Sequence, residues 1–153
     1  MTTTITIADV LAEQAKINAM IQALQTPASP IHYLVPEASI LLQPGEVYAG
    51  LVLDAEGCIS HHLVLLPGEA EDVNWQAAID WATSIGGVLP TRQEQALLYA
   101  NRKGDFQPRW YWSAESHEDD GSYAWNQYFY DGTQDSSHKS YEGRARAVRR
   151  VTA

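Results

Sequence analysis

The sequence predicts an α+β domain of antiparallel strands and two helices, preceded by a separate amphipathic helix. Three observations carry this reading. Ile7, Val10, Ile17, Ile21 and Leu24 recur at spacings of three, four and seven, the period of a helix face, before any strand pattern begins. Residues 47–53 and 58–66 are apolar runs that flank Asp54-Ala55-Glu56-Gly57, the composition of a hairpin turn. Asn74 and Thr91 each stand as a cap before a helical pattern, and strand-like aromatic runs start at Trp110.

The opening helix is expected over 6–25, with Thr6 as N-cap and Asp9 three residues on as its capping-box partner. Written as heptads, Ile7, Gln14 and Ile21 occupy one core position and Val10, Ile17 and Leu24 the other. Gln14 is the one polar intruder, a residue type that sets register or strand number. The same stripe also suits a helix packed on its own domain. Thr26-Pro27-Ala28-Ser29-Pro30 then reads as a linker, because two prolines cannot continue a helix. A detached helix of this length is marginal alone and wants a partner. The expected organisation is therefore 1–26 as an oligomerisation helix forming a dimer or trimer, 27–30 as linker and 31–153 as the domain.

Within that domain, 31–35 and 39–42 read as short strands bounded by prolines. His61 and His62, neighbours on the second hairpin arm, point to opposite faces. They therefore suit one core-facing and one exposed histidine rather than a shared metal. Cys58 has no cationic neighbours and reads as inert packing. A first domain helix is expected over 75–85, stopped by Gly86-Gly87. A second is expected from Thr91 to about Arg102, with Glu94 completing a capping box and Ala96, Leu97 and Ala100 available for burial. Ten of the fifteen aromatic residues fall between Tyr99 and Tyr130. Strands are expected at 110–114, 123–130 and 143–151, with polar loops at 116–122 and 133–141. On the 123–130 strand, Trp125, Gln127 and Phe129 would face the core, leaving Asn126, Tyr128 and Tyr130 exposed.

Composition narrows the function. A 45% hydrophobic content in 153 residues fits one folded domain and argues against disorder. No apolar run approaches the roughly 18 residues that cross a bilayer, so no membrane partner is expected. The first residues lack the basic start of a secretory signal, and a single cysteine cannot make an internal disulfide. These point to a reducing cytoplasm or an intracellularly assembled particle. Net charge is −9, the wrong sign for nucleic acid. Before Thr91 there are ten acids and one base; from Thr91 onward there are nine of each.

The chain from 50 to 151 carries a series of ordered motifs. Asn74-Trp75 and Trp81-Ala82 come first, then Gly86-Gly87-Val88-Leu89-Pro90-Thr91-Arg92-Gln93-Glu94. Trp110-Tyr111-Trp112-Ser113-Ala114-Glu115 and Tyr123-Ala124-Trp125 follow, with Phe129, Asp131-Gly132 and finally Arg146-Ala147-Val148-Arg149-Arg150. In order and spacing these resemble the bacterial and phage domain named after the C-terminal part of a collagen-like adhesin, the Lcl C-terminal domain. That family belongs to the C-type-lectin-like group, which includes sulfatase-modifying factors and phage tropism determinants. The resemblance implies a C-type-lectin-like mixed fold for this chain. It does not carry the group's chemistry over. The modifying factors use cysteines in the C-terminal half, and this half has none. Lectin relatives hold calcium with a Glu-Pro-Asn-like loop and a Trp-Asn-Asp strand. Here Trp125-Asn126 is followed by Gln127, and no Glu-Pro-Asn precedes it.

The residues themselves offer little chemistry. No phosphate loop, nucleophile elbow or zinc motif is present. Glu118, Asp119 and Asp120 supply hard oxygens but lack the alternating spacing of a calcium loop, so no metal and no cofactor are expected. Asp119 with Asp135 or Glu142 makes only the weak acid pair that any acidic chain offers. Arg146 or Arg149 is expected to bridge Glu94 or Glu115. Asn126, Tyr128, Tyr130, Asp131, His138 and Tyr141 have the Tyr, Asn and Asp composition of an adaptable recognition surface and are the ligand-binding candidates. The expected function is a non-enzymatic, phage- or prophage-encoded module that recognises a host protein or glycan through its C-terminal loops. The alternative is an intracellular phage inhibitor that lures a basic host protein with its acidic half. A hydrolase or modifying enzyme ranks third.

Overall fold

The computed structural model describes residues 4–153; the first three residues of the expected 1–26 segment lie outside the described residues. The chain divides into two compact units, one ending at Leu34 and one spanning Val35–Ala153.

The first unit contains helix α1, Ile7–Gln25. Thr6 Oγ1 accepts from Asp9 N at 3.2 Å, and Thr6 N donates to Asp9 Oδ2 at 2.8 Å, so the expected capping box forms. None of its residues is buried. Ile7, Val10, Ile17, Ile21 and Leu24 are all exposed, together with Leu11 and Met20 on the flanks of the same stripe.

The second unit is α+β, as the sequence predicts. A three-stranded antiparallel sheet has the order β1-β2-β8, formed by β1 Val47–Leu53, β2 Ile59–Leu65 and β8 Val148–Thr152. A five-stranded sheet has the order β3-β7-β4-β5-β6. Its strands are β3 Ala70–Val73, β7 Gly143–Ala145, β4 Trp110–Ser116, β5 Tyr123–Tyr128 and β6 Gln134–His138. Among the described residues only the β4–β7 pair is parallel. Helix α2, Trp75–Ser84, is capped by Asn74, whose Oδ1 accepts from Ala77 N at 2.9 Å. Helix α3, Arg92–Arg102, starts on the Thr91–Glu94 capping box. Two cores result. One gathers Leu63, Leu65, Leu98, Phe106, Tyr111 and Phe129 between α3 and the sheets; Phe106 and Phe129 stack with ring centres 3.8 Å apart. The other places Ala78 and Ala82 of α2 against Trp112, Ala124 and Ala145.

Several expectations are corrected. Residues 31–35 and 39–42 form no strands; apolar composition alone does not supply ladder partners. Residues 134–138, expected as loop, are strand β6, because pairing along β5 overrides their polar character. The expected strand over 143–151 breaks into β7 and β8, which join different sheets. Cys58 is exposed rather than packed. The buried face of α3 is Glu94, Gln95 and Leu98, while Ala96 and Ala100 are exposed. Gln95 replaces an apolar residue there because its Nε2 donates to Tyr111 O at 3.0 Å and Trp112 O at 3.2 Å, tying α3 to β4.

The arginines of β8 and of the link between β7 and β8 bind the unit together, with partners other than those expected. Arg150 takes Glu94 through two bonds, Nε–Oε1 2.6 Å and Nη2–Oε2 3.0 Å. Arg149 takes Glu46. Arg146 donates to the carbonyls of Leu66 and Asp105. Glu115 instead accepts from Arg92 N. His62 is buried against the Tyr48 hydroxyl at 2.9 Å. His61 is half-buried rather than exposed, because its Nε2 lies 2.8 Å from Glu94 Oε1.

Candidate functional site

A depression of about 600 Å³ lies where α3 meets β4, β5 and β6. Its walls include Thr91, Arg92, Gln93, Tyr99, Glu115, Gln127, Gly132 and Gln134. The local sequence explains the assembly. Pro90 O accepts from Ala114 N at 2.8 Å, which docks the chain entering α3 on β4. The Thr91 cap then turns Arg92 and Gln93 over the sheet, and Arg92 N donates to Glu115 Oε2 at 2.6 Å. The pairing of Gln127 with both Tyr111 and Gln134 puts these three side chains on the sheet face beneath α3.

The polar groups lock one another. Arg92 Nε donates to Gln134 Oε1 at 3.0 Å, and Gln134 Nε2 donates to Arg92 O at 2.7 Å. An arginine nitrogen only donates and a carbonyl only accepts, so Gln134 has one possible orientation. Its Nε2 also reaches Gln127 Oε1 at 2.8 Å, which leaves the Gln127 amide nitrogen as a donor on the groove wall. Gln127 is only 1% exposed. The Arg92 guanidinium sits 3.5 Å above the Trp125 ring centre, and the His117 ring stacks on the same indole at 5.0 Å. Trp125 is therefore a platform that fixes Arg92. Among the described residues Arg92 makes no ion pair, unlike Arg102, Arg144, Arg149 and Arg150.

Beside the groove, Glu94 is almost fully buried, at 1%. Burial raises its pKa, but the Arg150 guanidinium, the Thr91 amide and His61 outweigh burial and hold the carboxyl below its ordinary value. Ser60 Oγ lies 2.9 Å from His61 Nδ1, so Ser60, His61 and Glu94 stand in line. Neither Ser60 nor His61 lines the groove. Glu94 is committed to Arg150 and to its helix cap, which makes this chain a structural tie.

The ligand-binding residues expected from sequence do not form one patch. Asn126 is fully buried, with its Nδ2 donating to Ser137 Oγ at 2.9 Å, so it is no surface contact. Both faces of β5 are covered at its centre, which removes the expected exposed face. Tyr128 is half-buried. Tyr130, 72% exposed, and Asp131 lie in the turn beside Gly132 of the groove. His138 and Tyr141 lie at the opposite end of the β5–β6 pair, where His138 stands opposite Tyr123. Glu118, Asp119 and Asp120 do not converge. Glu118 Oε2 accepts from Trp125 Nε1, Asp119 N donates to His117 Nδ1, and Asp120 Oδ1 accepts from Ser122. These bonds, to Trp125 and to Ser122, hold Glu118 and Asp120 below their ordinary pKa. Among the described residues no three His, Cys, Asp or Glu side chains gather into a metal site.

Sequence reasoning missed the groove because its walls come from four separated segments. Gln134 sits in a stretch whose polarity reads as loop, and Gln127 reads as core. The usable signal was Arg92, an arginine directly after a helix cap with no acidic partner at helical spacing. The chain matches no protein-family model and no curated protein.

Proposed function

We propose that the Val35–Ala153 unit is a non-enzymatic binding module with a C-type-lectin-like fold, of phage or prophage origin, that recognises a host surface component through the groove under α3. The observation that carries this reading is the self-locked polar lining. Arg92, Gln134 and Gln127 fix one another and present donors outward, a pre-organised arrangement suited to recognition rather than to proton transfer. Tyr130 and Asp131 extend the rim. Helix α1 serves as an oligomerisation element, since its apolar stripe is uncovered along its whole length. Linking several weak sites raises overall avidity by orders of magnitude.

Attachment of the full chain to bacterial cells tests the reading. Arg92→Ala is expected to abolish attachment while circular dichroism stays unchanged, and Tyr130→Ala to weaken it. Attachment that survives Arg92→Ala unaltered would refute the groove as the recognition site.

A further inference from the structure

Resting on that reading, we infer that the groove takes a carboxylated sugar, a hexuronic-acid-type residue of a glycan, with Arg92 holding the carboxylate and Glu115 receiving a ring hydroxyl. Three features of the groove select this chemistry. Arg92 is a fixed cation with no ion-pair partner among the described residues; Glu118 acts on it only through space. Its Nε is spent on Gln134 and its face on Trp125, so the terminal nitrogens are the edge left open, the edge that pairs with a carboxylate. Gln127, buried yet lining the groove, adds an amide donor with no partner among the described residues. Glu115 is the opposing requirement. One of its oxygens accepts from Arg92 N, and the carboxylate remains on the same wall. Glu118, the next acid, is bonded to Trp125 Nε1 and makes no ion pair with Arg92.

These groups reject the simpler ligands. A fully deprotonated oxyanion such as sulfate satisfies Arg92 and Gln127 but brings no donor to Glu115, so two anions face each other. A neutral sugar satisfies Glu115 with a hydroxyl but gives Arg92 no direct ion-pair partner. A hydroxylated carboxylic acid meets both. The groove runs from Thr91 to Gln134, within the half of the sequence that carries nine acids and nine bases. A volume of about 600 Å³ accommodates a sugar residue and part of its neighbour.

The test is titration of the full chain with methyl glucuronide, methyl glucoside, inorganic sulfate and an N-acetyl-glutamate amide, followed by NMR at the groove amides. Methyl glucuronide is expected to shift the Gly132 and Gln134 signals and to bind about tenfold or more tightly than the glucoside, the gain typical of one charge-assisted pair. Arg92→Gln is expected to erase that preference. Because Arg92 also packs on Trp125, Glu115→Gln gives an independent readout: it should admit sulfate, which the native groove is expected to exclude. Equal binding of glucoside and glucuronide overturns the inference and leaves the binding-module reading standing. Preference for the glutamate amide overturns it in favour of a protein ligand. No groove response to any probe, together with cell attachment indifferent to Arg92, overturns both.

Discussion

Glu94 offers the sharpest check on how this domain is held together. Its carboxylate accepts from Arg150 Nε and Nη2, from Thr91 N at 2.8 Å, and faces His61 at 2.8 Å, with almost no solvent contact. Replacing it with alanine removes the return half of the capping box, about 0.5–1 kcal/mol. It also strips the partner from Arg150. Breaking a buried pair costs about 3–5 kcal/mol. The Arg150 side chain keeps 38% exposure and regains water, so the lower end applies and the total is about 3 kcal/mol. For a domain of this size that is a fall in Tm of about 10 °C. Glu94→Gln, which keeps the volume and the acceptor for Thr91 N, should cost less, about 2 kcal/mol. Urea denaturation of Glu94→Ala, Arg150→Ala and the double variant would measure a coupling above about 1 kcal/mol. Acid titration supplies a second readout. The carboxyl is held below its ordinary 4.5, so its contribution is complete above that pH and is lost as pH falls through the folded value. Glu94→Gln should flatten that limb. A loss under about 1 kcal/mol with additive single variants would refute the reasoning.

Gly87→Ala should destabilise by about 2 kcal/mol or more, because a Cβ would meet Leu66 Cδ1 at 2.5 Å and Val148 O at 2.9 Å. Gly86→Ala, with open space but φ +82°, should cost only about 1 kcal/mol; chemical denaturation separates the two. The Tyr111 phenol, pushed up to about 12 by burial and by its bond to Glu69, should stay protonated where free tyrosine ionises. Its contribution is therefore present below pH 10.0 and lost as pH rises through about 12, and Tyr111→Phe should blunt that alkaline loss in a pH-stability profile. Deleting residues 1–26 should reduce the mass in light scattering to one chain while the far-ultraviolet spectrum keeps its β content; an unchanged mass would remove α1 as the oligomerisation element.

Local chemistry made much of the architecture legible. Thr6 with Asp9, Asn74, and Thr91 with Glu94 each start a helix where a short side chain meets orphan amides, an interaction spanning only three residues. The hairpin over Asp54 to Gly57 is equally local, with Asp54 N and Cys58 O closing it at 2.8 Å. Strand β6 was illegible for the opposite reason. Nothing in Gln134 to His138 favours a strand except its partner β5. The split of 143–151 into two sheets depends on contacts with β3, β4 and β2 far away in sequence.

The sequence by itself determined the helices, the hairpin, the α+β class and the apolar stripe of α1, because caps, turns and periodicity act over a few residues. Only the tertiary structure decided that Arg150 rather than Arg146 or Arg149 meets Glu94, that Asn126 is interior, and that Arg92, Glu115, Gln127 and Gln134 share one groove. Those outcomes depend on which strands pair across long separations. A side chain's burial and partners follow from that pairing, not from its own neighbours in the chain.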